Sequence, residues 1–375
     1  MENPFRYGEE VTGEDFCNRR KEIRRLTDYI GAANKVLLYS PRRWGKTSLI
    51  KETISRLPKR KHLIIYADLY PILKEEHFSQ IVAQGFARSL ASPLQKAVAT
   101  LRSLLTSFIP KVTLDASGEA NFEFGFDSTK KGTALAEELL DAIEESARKS
   151  KKRAVVILDE FQQVGELADD RLEKVLRSKI QAQRHVCYIF AGSKRHLLVE
   201  MFSNPSRPFY KSAIHFPLGA IPPEEMKTFI SKKFEARGRV ADDAALAEIL
   251  ETAENHSYHV QQLCFHIWET AAERRRIDRE TISNAVERIL VSENASYHNT
   301  WSLLTRSQKL ALKALAGIRA GETPFSMDFL NRAGLSSADA FRKALESLVA
   351  KELVEKENGG YRISDVFLKR WLSKL

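Results

Sequence analysis

The stretch "KVLLYSPRRWGKTSLIKETISRL" at residues 35–57 decides the fold of this chain. Within it, Ser40 is followed by four residues and then by Gly45-Lys46-Thr47. This differs from the Gly-x4-Gly-Lys-Ser/Thr pattern of phosphate-binding loops at one position, because Ser40 replaces the first glycine. Such a loop needs converging backbone N–H groups, a lysine for phosphate oxygens and a hydroxyl for Mg²⁺. The glycine that Ser40 replaces mainly shapes the turn, and a serine followed by proline can enter that turn from an extended conformation. We therefore expect a phosphate-binding loop.

Both flanks of the loop support this interpretation. The run at 35–39 is apolar and rich in strand formers, and the segment at 48–57 carries apolar residues at helical spacing until Pro58. A phosphate-binding loop must follow a buried strand and open a helix, which a chance Gly-Lys-Thr in a basic loop need not do. We assign nucleotide binding to the loop residues Pro41, Arg42, Arg43, Trp44, Gly45, Lys46, Thr47 and Ser48.

The second half of a nucleotide site is predicted in "AVVILDEF" at 154–161. Five consecutive apolar residues are typical of a strand buried on both faces of a parallel sheet, and ligands bind at the carboxyl ends of such strands. Asp159 would hold Mg²⁺ through water together with Thr47, and Glu160 would act as the base. A strand that simply ends in surface acids is the alternative, and Lys46 upstream favours the catalytic interpretation.

Three further strands complete a predicted five-stranded parallel sheet: "HLIIYADLY" at 62–70, "HVCYIFAGS" at 185–193 and "AIHFPL" at 213–218. Ser193 ends the second of these and is the candidate sensor of the γ-phosphate. Arg195 is the nearest cation that could stabilise transition-state charge. A plain turn that contains a serine and an arginine is the alternative.

Composition limits the class of protein. At 375 residues, 43% hydrophobic and 29% charged, the chain is long enough for two or three globular domains. We expect a cytoplasmic protein without a membrane partner, because no apolar run reaches the ~20 residues that span a bilayer and the start lacks a secretory pattern. Cys17, Cys187 and Cys264 are predicted to be buried, reduced thiols.

The basic excess is dispersed. Lys plus Arg exceed Asp plus Glu by 59 to 49, a net charge of +10, which fits a polyanionic partner without requiring one. The densest runs, "PKRKH" at 58–62 and "RKSKKR" at 148–153, each precede a predicted strand. We favour solvated loops over a binding patch for both.

An insertion at about 91–132 is predicted to contain a hairpin. "KVTLDASGEANFEFGF" alternates apolar and polar residues on both sides of Ser117-Gly118. Phe122, Phe124 and Phe126 could face a partner, and packing against the preceding helix is the favoured alternative.

Residues 221–294 are predicted to form an all-α lid of four amphipathic helices. The set His256, His259, Cys264 and His266 invites a zinc interpretation, but it lacks a Cys-x-x-Cys pair and lies on an amphipathic helix, so we favour core packing.

Residues 295–375 are predicted to form a winged helix: three helices, two strands around Asn358-Gly359-Gly360, and a closing helix. Arg342 and Lys343 of the third helix are offset by nearby acids, so a protein-contact module is as consistent as a DNA reader.

The chain resembles the archaeal-type ATPases (MNS clade) of the STAND signal-transduction ATPases, which are related to AAA+ P-loop NTPases, over nearly its whole length. The matching segments are "NPFRYG" (3–8), "FCNRRKEI" (16–23), "SPRRWGKTSLI" (40–50), "ILDEFQ" (157–162), "FAGSKRHLL" (190–198), "SRPFYK" (206–211) and "NHSYHVQQLCFHIWE" (255–269).

The resemblance implies a P-loop NTPase sheet of the ASCE type in a domain at 1–220, followed by the lid and the winged helix. It places Phe16, Arg19 and Glu22 by the adenine, and it makes Ser40 a normal variant of this loop. Lys211 stands where the family commonly has arginine, and Ser257 where it usually has proline.

Three functions are open. The resemblance favours a switch in which ATP or ADP with Mg²⁺ sets the orientation of the winged helix and slow hydrolysis resets it. A DNA-binding AAA+ ATPase that resembles the origin initiators is the alternative, and a non-catalytic scaffold is the third. Family members often assemble when ATP-bound, so a resting monomer with ATP-dependent oligomerisation is expected, with Arg195 or Arg207 as residues that could serve a neighbour's site.

Overall fold

A computed structural model describes residues 2–90, 94–114, 120–127, 129–130, 132–271, 275–318, 324–335, 337–357 and 360–375. The chain divides into two compact units. Arg19–Gly219 is called the sheet unit here, and Met1–Asn18 together with Ala220–Leu375 is called the helical unit.

A five-stranded parallel sheet forms the centre of the sheet unit, as predicted. Its strands are β1 (Lys35–Tyr39), β2 (His62–Asp68), β5 (Arg153–Asp159), β6 (Val186–Gly192) and β7 (Ile214–Pro217), and their order across the sheet is β2-β5-β6-β1-β7. The strand β6 thus lies between the strand before the loop and the strand that ends in Asp159, which is the ASCE arrangement.

The strand register brings the polar strand ends together. Asp68 of β2 is opposite Asp159 of β5, and Tyr39 of β1 is opposite Gly192 of β6. The strands β5 and β6 are almost wholly buried because helices cover both faces of the sheet. All residues that leave this sheet at its carboxyl edge therefore meet on one side.

The helices of the sheet unit are α1 (Arg20–Gly31), α2 (Lys46–Ser55), α3 (Glu75–Ser89), α4 (Leu94–Leu104), α5 (Gly132–Ser150), α6 (Gln162–Gly165), α7 (Arg171–Ala182) and α8 (Arg195–Ser203). Among them α3, α5 and α7 pack side by side.

The predicted hairpin is present. The strands β3 (Phe108–Leu114) and β4 (Ala120–Phe126) pair antiparallel, while the predicted turn at Ser117-Gly118 lies outside the described residues. Phe122 and Phe124 are buried, and β4 packs against α3. Core packing of these two rings is therefore confirmed.

The helical unit begins its main segment with α9 (Pro223–Glu235), α10 (Asp243–Thr252), α11 (Ser257–Ala271) and α12 (Arg279–Ser302). The predicted helical lid is confirmed, with one addition. Two-residue strands β8 (Val240–Ala241) and β9 (Arg276–Ile277) pair in parallel between the helices. Such short strands leave no periodicity in the sequence.

The residues that suggested zinc lie in the interior of the helical unit. His256, His259, Cys264 and His266 are all buried. His259 Nε2 lies 3.4 Å from the Val366 backbone nitrogen, and His266 Nε2 lies 3.3 Å from the Tyr7 hydroxyl. In the described ranges, no three His, Cys, Asp or Glu side chains come together in a way that could hold a metal ion.

The winged helix comprises α13 (Arg306–Ala316), α14 (Met327–Arg332), α15 (Ala338–Ala350), β10 (Val354–Glu357), β11 (Gly360–Ile363) and α16 (Val366–Leu372). The strands pair antiparallel as predicted, and Asn358-Gly359 of the predicted turn falls outside the described residues. Because α12 runs to Ser302, the predicted boundary after residue 294 lies within a continuous helix.

The three cysteines are buried free thiols, as predicted. Burial raises the pKa of Cys187 to about 12. No described helix has both the length and the apolar composition that crossing a bilayer requires.

Candidate functional site

The loop between β1 and α2 contains two left-handed residues just before the helix begins. Arg43 and Gly45 both adopt left-handed conformations, with φ of 62° and 84°. A Cβ added at Gly45 would meet nothing within 4 Å, so this glycine serves the conformation and not the space around it. α2 begins at Lys46 without a side-chain cap, which suits an anion at its first turn.

Ser40 replaces glycine without strain. Its φ is outside the left-handed region, so the position does not require glycine. The side chain is buried, and its hydroxyl donates to the Pro41 carbonyl oxygen at 3.0 Å. The predicted tolerance of serine therefore has a local structural cause.

Arg19 supports the loop from behind. Its guanidinium is buried, and Nη2 donates to the carbonyl oxygens of Trp44 and Gly219, each at 3.0 Å. Nη1 lies 3.4 Å from a Glu22 carboxylate oxygen. Arg19 thus holds the loop backbone through these contacts, and its contact with nucleotide stays a prediction.

Lys46, Thr47 and Asp159 meet where α2 starts and β5 ends. Lys46 Nζ lies 3.6 Å from Asp159 Oδ1, and the Thr47 hydroxyl donates to Asp159 Oδ2 at 3.1 Å. Tyr66 on β2 also donates its hydroxyl hydrogen to Asp159 Oδ2, at 2.8 Å. The buried Asp159 is thereby held by three side chains.

Glu160 lies beside this group. Its Oε1 is 3.6 Å from Lys46 Nζ, and its Oε2 accepts hydrogen bonds from the Ser193 hydroxyl at 3.0 Å and from the Gln162 side-chain amide. The backbone of Glu160 is left-handed, with φ of 52°. Such strain in a residue other than glycine is characteristic of functional sites.

Two further predicted site residues, Arg195 and Phe16, are not part of the cluster around Asp159 and Glu160. Arg195 is exposed at the start of α8, and its guanidinium lies over the Tyr39 ring at 5.7 Å. Among the described residues Arg195 makes no ion pair within 4 Å. Phe16 belongs to the helical unit, so its adenine contact stays a prediction.

Arg207 is engaged within its own chain. Its Nη2 donates to Glu173 Oε2 at 2.6 Å, and this pair connects the segment after α8 with α7. Lys211 is left-handed, with φ of 51°, and its ammonium group lies over the Tyr210 ring.

The two basic runs lie at the opposite sheet edge. They precede β2 and β5, and the Arg153 N–H donates to the Lys61 carbonyl oxygen at 2.9 Å. The second run begins in the last turn of α5, so the predicted loop is wrong for residues 148–150; cations in that turn stabilise the exposed helix carbonyls.

The donor set fits a magnesium nucleotide. Thr47 and Asp159 supply adjacent hydroxyl and carboxylate oxygens, which are the ligands Mg²⁺ prefers, and Mg²⁺ typically uses one or two protein groups plus phosphate and water. Lys46 would supply the cation for phosphate oxygens. Glu160 is the carboxylate that could orient or deprotonate a water.

Comparison with protein families agrees with this geometry. Residues 16–263 match the family described as an ATPase domain predominantly from Archaea. The chain belongs to this family. Residues 295–374 match a second family, described as a probable winged helix domain, so the archaeal ATPase domain is followed by a winged helix.

Relatives of this chain include an ATP-binding protein of Methanocaldococcus jannaschii, 26% identical over 215 residues, which are 52% of this chain and 57% of the relative. The chain spans a little over half the length of the curated relatives that it matches.

Solved structures show the same fold. The Walker-type ATPase of Pyrococcus abyssi superposes with a TM-score of 0.64 at 17% identity, over 99% of both chains. The ORC1 protein of Aeropyrum pernix in complex with DNA gives 0.50 at 15% identity, over 96% of this chain and 94% of that one.

Three contributors escaped the sequence analysis. Tyr66 lies on the neighbouring strand β2. Because side chains alternate between the two faces of a strand, the sequence could have indicated that Tyr66 and Asp68 point to the same face. Gln162 follows the acidic pair by two residues, and Gly192 makes room for it, because a Cβ at Gly192 would lie 2.0 Å from Gln162 Oε1. Only the folded structure shows that contact.

Proposed function

We propose that the sheet unit binds ATP or ADP with Mg²⁺ and slowly hydrolyses ATP, as a STAND-type switch in which the nucleotide state sets the orientation of lid and winged helix. The observation that carries the proposal is the meeting of Lys46, Asp159 and Glu160 within 3.6 Å at the carboxyl edge of the sheet.

Each residue has a distinct role in this proposal. Lys46 and the first-turn N–H groups of α2 hold the phosphates, and Thr47 and Asp159 hold Mg²⁺, which neutralises phosphate charge when bound. Glu160 orients and deprotonates the attacking water. Ser193, already hydrogen-bonded to Glu160, is the sensor that relates the base to the terminal phosphate.

Family membership supports nucleotide hydrolysis, and the relative from Methanocaldococcus jannaschii is named as ATP-binding. Because the match spans only part of that relative, the trigger and output of the switch rest on the proposal alone. A scaffold that keeps nucleotide only for structure would have little need of Glu160, since that residue serves chemistry and not binding.

Steady-state phosphate release from Mg-ATP by the wild type and by Glu160→Gln tests the proposal. We expect turnover that falls about 10²–10⁴-fold in the variant, the typical contribution of a general base, while ADP affinity is unchanged. Lys46→Ala is the binding control and should lose affinity for ADP. Absence of turnover in the wild type, with nucleotide bound, would refute hydrolysis by this chain alone.

A DNA-binding AAA+ ATPase is the second candidate, because the chain contains a winged helix. The third helix of that module is nearly balanced in charge, since Lys343 Nζ lies 3.0 Å from Asp339 Oδ2. DNA-stimulated turnover and a binding constant that falls steeply with salt would support this candidate. Arg342→Ala should then weaken DNA binding. DNA binding that changes neither with salt nor with Arg342→Ala would count against this candidate.

Assembly is a further part of the switch proposal. We expect a monomer without nucleotide and larger species with ATP in the Glu160→Gln protein, as measured by sedimentation velocity. Arg195 is the candidate that serves a neighbour's site, because it is exposed and unpaired by acids in the described residues. Arg195→Ala should leave ADP binding intact and reduce turnover only at concentrations where assembly occurs.

A further inference from the structure

Donors surround one oxygen of the Glu160 carboxylate. Oε2 accepts from the Ser193 hydroxyl at 3.0 Å, from the Ser193 backbone N–H at 3.4 Å and from the Gln162 amide, and Oε1 lies 3.6 Å from Lys46 Nζ. A carboxylate oxygen offers about two lone-pair directions. Oε2 therefore has no direction left for the hydrogen of a water molecule.

Gln162 is built into this arrangement. Its side chain is 1% exposed at the start of α6. The amide nitrogen faces Glu160, because the opposite orientation would place Oε1 against the carboxylate. Oε1 instead lies over Gly192, where a Cβ would come within 2.0 Å, and it has no hydrogen-bond partner in the part of the chain that the structure describes.

This burial has a cost that needs an explanation. Burying an amide oxygen without a partner destabilises a protein. A methionine or leucine at position 162 would fill the same space without that cost. The nitrogen side of the amide, which contacts Glu160, is therefore the part of Gln162 that has a use.

We propose that Gln162 is a positioning residue that, together with Ser193, withholds Oε2 of Glu160 from water and fixes the orientation of the carboxylate; this inference rests on the proposed function. Gln162 and Ser193 are called the Glu160 clamp here. Ser193 and Lys46 are both predicted to contact phosphate. When they move from Glu160 to the phosphate, Gln162 would be the remaining restraint on the Glu160 carboxylate. Gln162 thereby keeps basal hydrolysis slow.

Three variants isolate this role. Gln162→Met keeps the length of the side chain and removes the donor. Gly192→Ala displaces Gln162 without changing it, because the new Cβ would overlap Oε1. Gln163→Met is the matched control in the same turn, since its side chain is half-buried and makes no side-chain hydrogen bond among the described residues.

The first measurement is single-turnover hydrolysis at saturating Mg-ATP. We expect Gln162→Met and Gly192→Ala to raise the rate about tenfold, which corresponds to about 1.4 kcal/mol in the barrier, with KM unchanged. Gln163→Met should equal the wild type. In a Gln162→Ala background, Gly192→Ala should add nothing, because the side chain that it displaces is gone.

The second measurement does not depend on activity. In nucleotide-free protein labelled with ¹⁵N-glutamine, the Gln162 side-chain amide, assigned by its loss in Gln162→Met, should shift in Glu160→Gln. It should also shift when a non-hydrolysable ATP analogue is added, because the analogue draws Ser193 and Lys46 away from Glu160. A Gln162 amide signal that has the same chemical shift in Glu160→Gln as in the wild type would overturn the inference.

The outcomes separate the inference from the proposed function. Wild-type turnover that collapses in Glu160→Gln, together with a Gln162→Met rate equal to or below the wild type, would overturn the withholding role and leave the ATPase proposal standing. No turnover in any variant, with an amide signal that responds to Glu160→Gln, would refute hydrolysis while supporting the contact.

Discussion

The ion pair between Arg207 and Glu173 allows a quantitative test of how the sheet unit is stabilised. The Glu173 side chain is 1% exposed and that of Arg207 is 27% exposed, and Arg207 Nη2 donates to Glu173 Oε2 at 2.6 Å. Burial raises the pKa of Glu173, the Arg207 guanidinium opposes that rise, and Asp170 and Glu200 add to it. We predict that Arg207→Met destabilises the unit in a pH-dependent manner.

The expected loss of stability depends on how Glu173 responds when Arg207 is removed. Removing one member of a buried pair costs about 3–5 kcal/mol, and partial exposure of Arg207 places this pair at or below the lower end. Without Arg207, Glu173 can avoid being a buried, unpaired charge by taking up a proton. Protonating a carboxyl whose ordinary pKa is 4.5 costs about 1.4 kcal/mol for each pH unit above that value, hence about 3.4 kcal/mol at pH 7 and about 0.7 kcal/mol at pH 5. The loss of stability that is due to the buried charge cannot exceed this cost. We expect a loss of about 2–3 kcal/mol at pH 7.

The sign of the pH dependence is fixed by the direction of the pKa. An acid whose folded pKa is raised contributes stability that is present below its unfolded pKa and is lost as pH rises through the folded pKa. Arg207→Met raises the pKa of Glu173 further, so its deficit should be large at pH 7 and below about 1 kcal/mol at pH 5.

Urea unfolding of nucleotide-free protein at pH 5 and pH 7, followed by circular dichroism, measures this deficit. Glu173→Gln and the double variant complete the cycle, and the double variant should recover most of the loss at pH 7 because no buried charge remains. An equal deficit at both pH values, or a double variant as unstable as Arg207→Met, would refute the reasoning.

Three further predictions concern single groups. Tyr66→Phe removes a donor to Asp159 and should weaken Mg²⁺ about tenfold in a titration of turnover, with Mg²⁺-free ADP affinity unchanged; an unchanged Mg²⁺ requirement would contradict it. Gly45→Ala places a side chain at φ of 84° and should cost about 1–2 kcal/mol, seen as weaker ADP binding; normal affinity would show that the loop tolerates alanine. Thr305→Ala breaks the reciprocal cap with Gln308 and should lower the stability of the helical unit by about 1 kcal/mol in urea, whereas no loss would show that the cap is redundant.

Sequence alone predicted the sheet most directly at β5 and β6, which are apolar runs buried over nearly their whole length and lie next to polar residues at their carboxyl ends. Parallel strands buried on both faces give an unambiguous pattern, and the order of loop, acidic pair and Ser193 then places the site at one edge. The pair β8 and β9 was missed because two residues cannot show a period. Side-chain contacts between distant segments, such as Tyr66 with Asp159, depend on strand order, which no local pattern contains.

Arg19 shows the limit of inference from resemblance. The family pattern relates this residue to the adenine, while its guanidinium donates to the carbonyl oxygens of Trp44 and Gly219. A buried cation that satisfies backbone acceptors fixes the shape of the loop whether or not it also contacts nucleotide. The sequence identified an important position, and the physical reason for it became visible only in the fold.

Arg207 also connects its own segment to the Glu160 clamp. A Cβ at Gly165 would lie 2.7 Å from Arg207 Nη2, so the guanidinium packs on the end of α6, whose first residue is Gln162. Arg207→Met should therefore loosen α6 and reproduce part of the rise in turnover expected of Gln162→Met. Glu173→Gln combined with Arg207→Met should restore stability at pH 7 but not the slow turnover, because the contact with Gly165 is still missing. If single-turnover rates of the double variant return to the wild-type value together with its stability, then the buried charge, and not packing on α6, links this segment to the base.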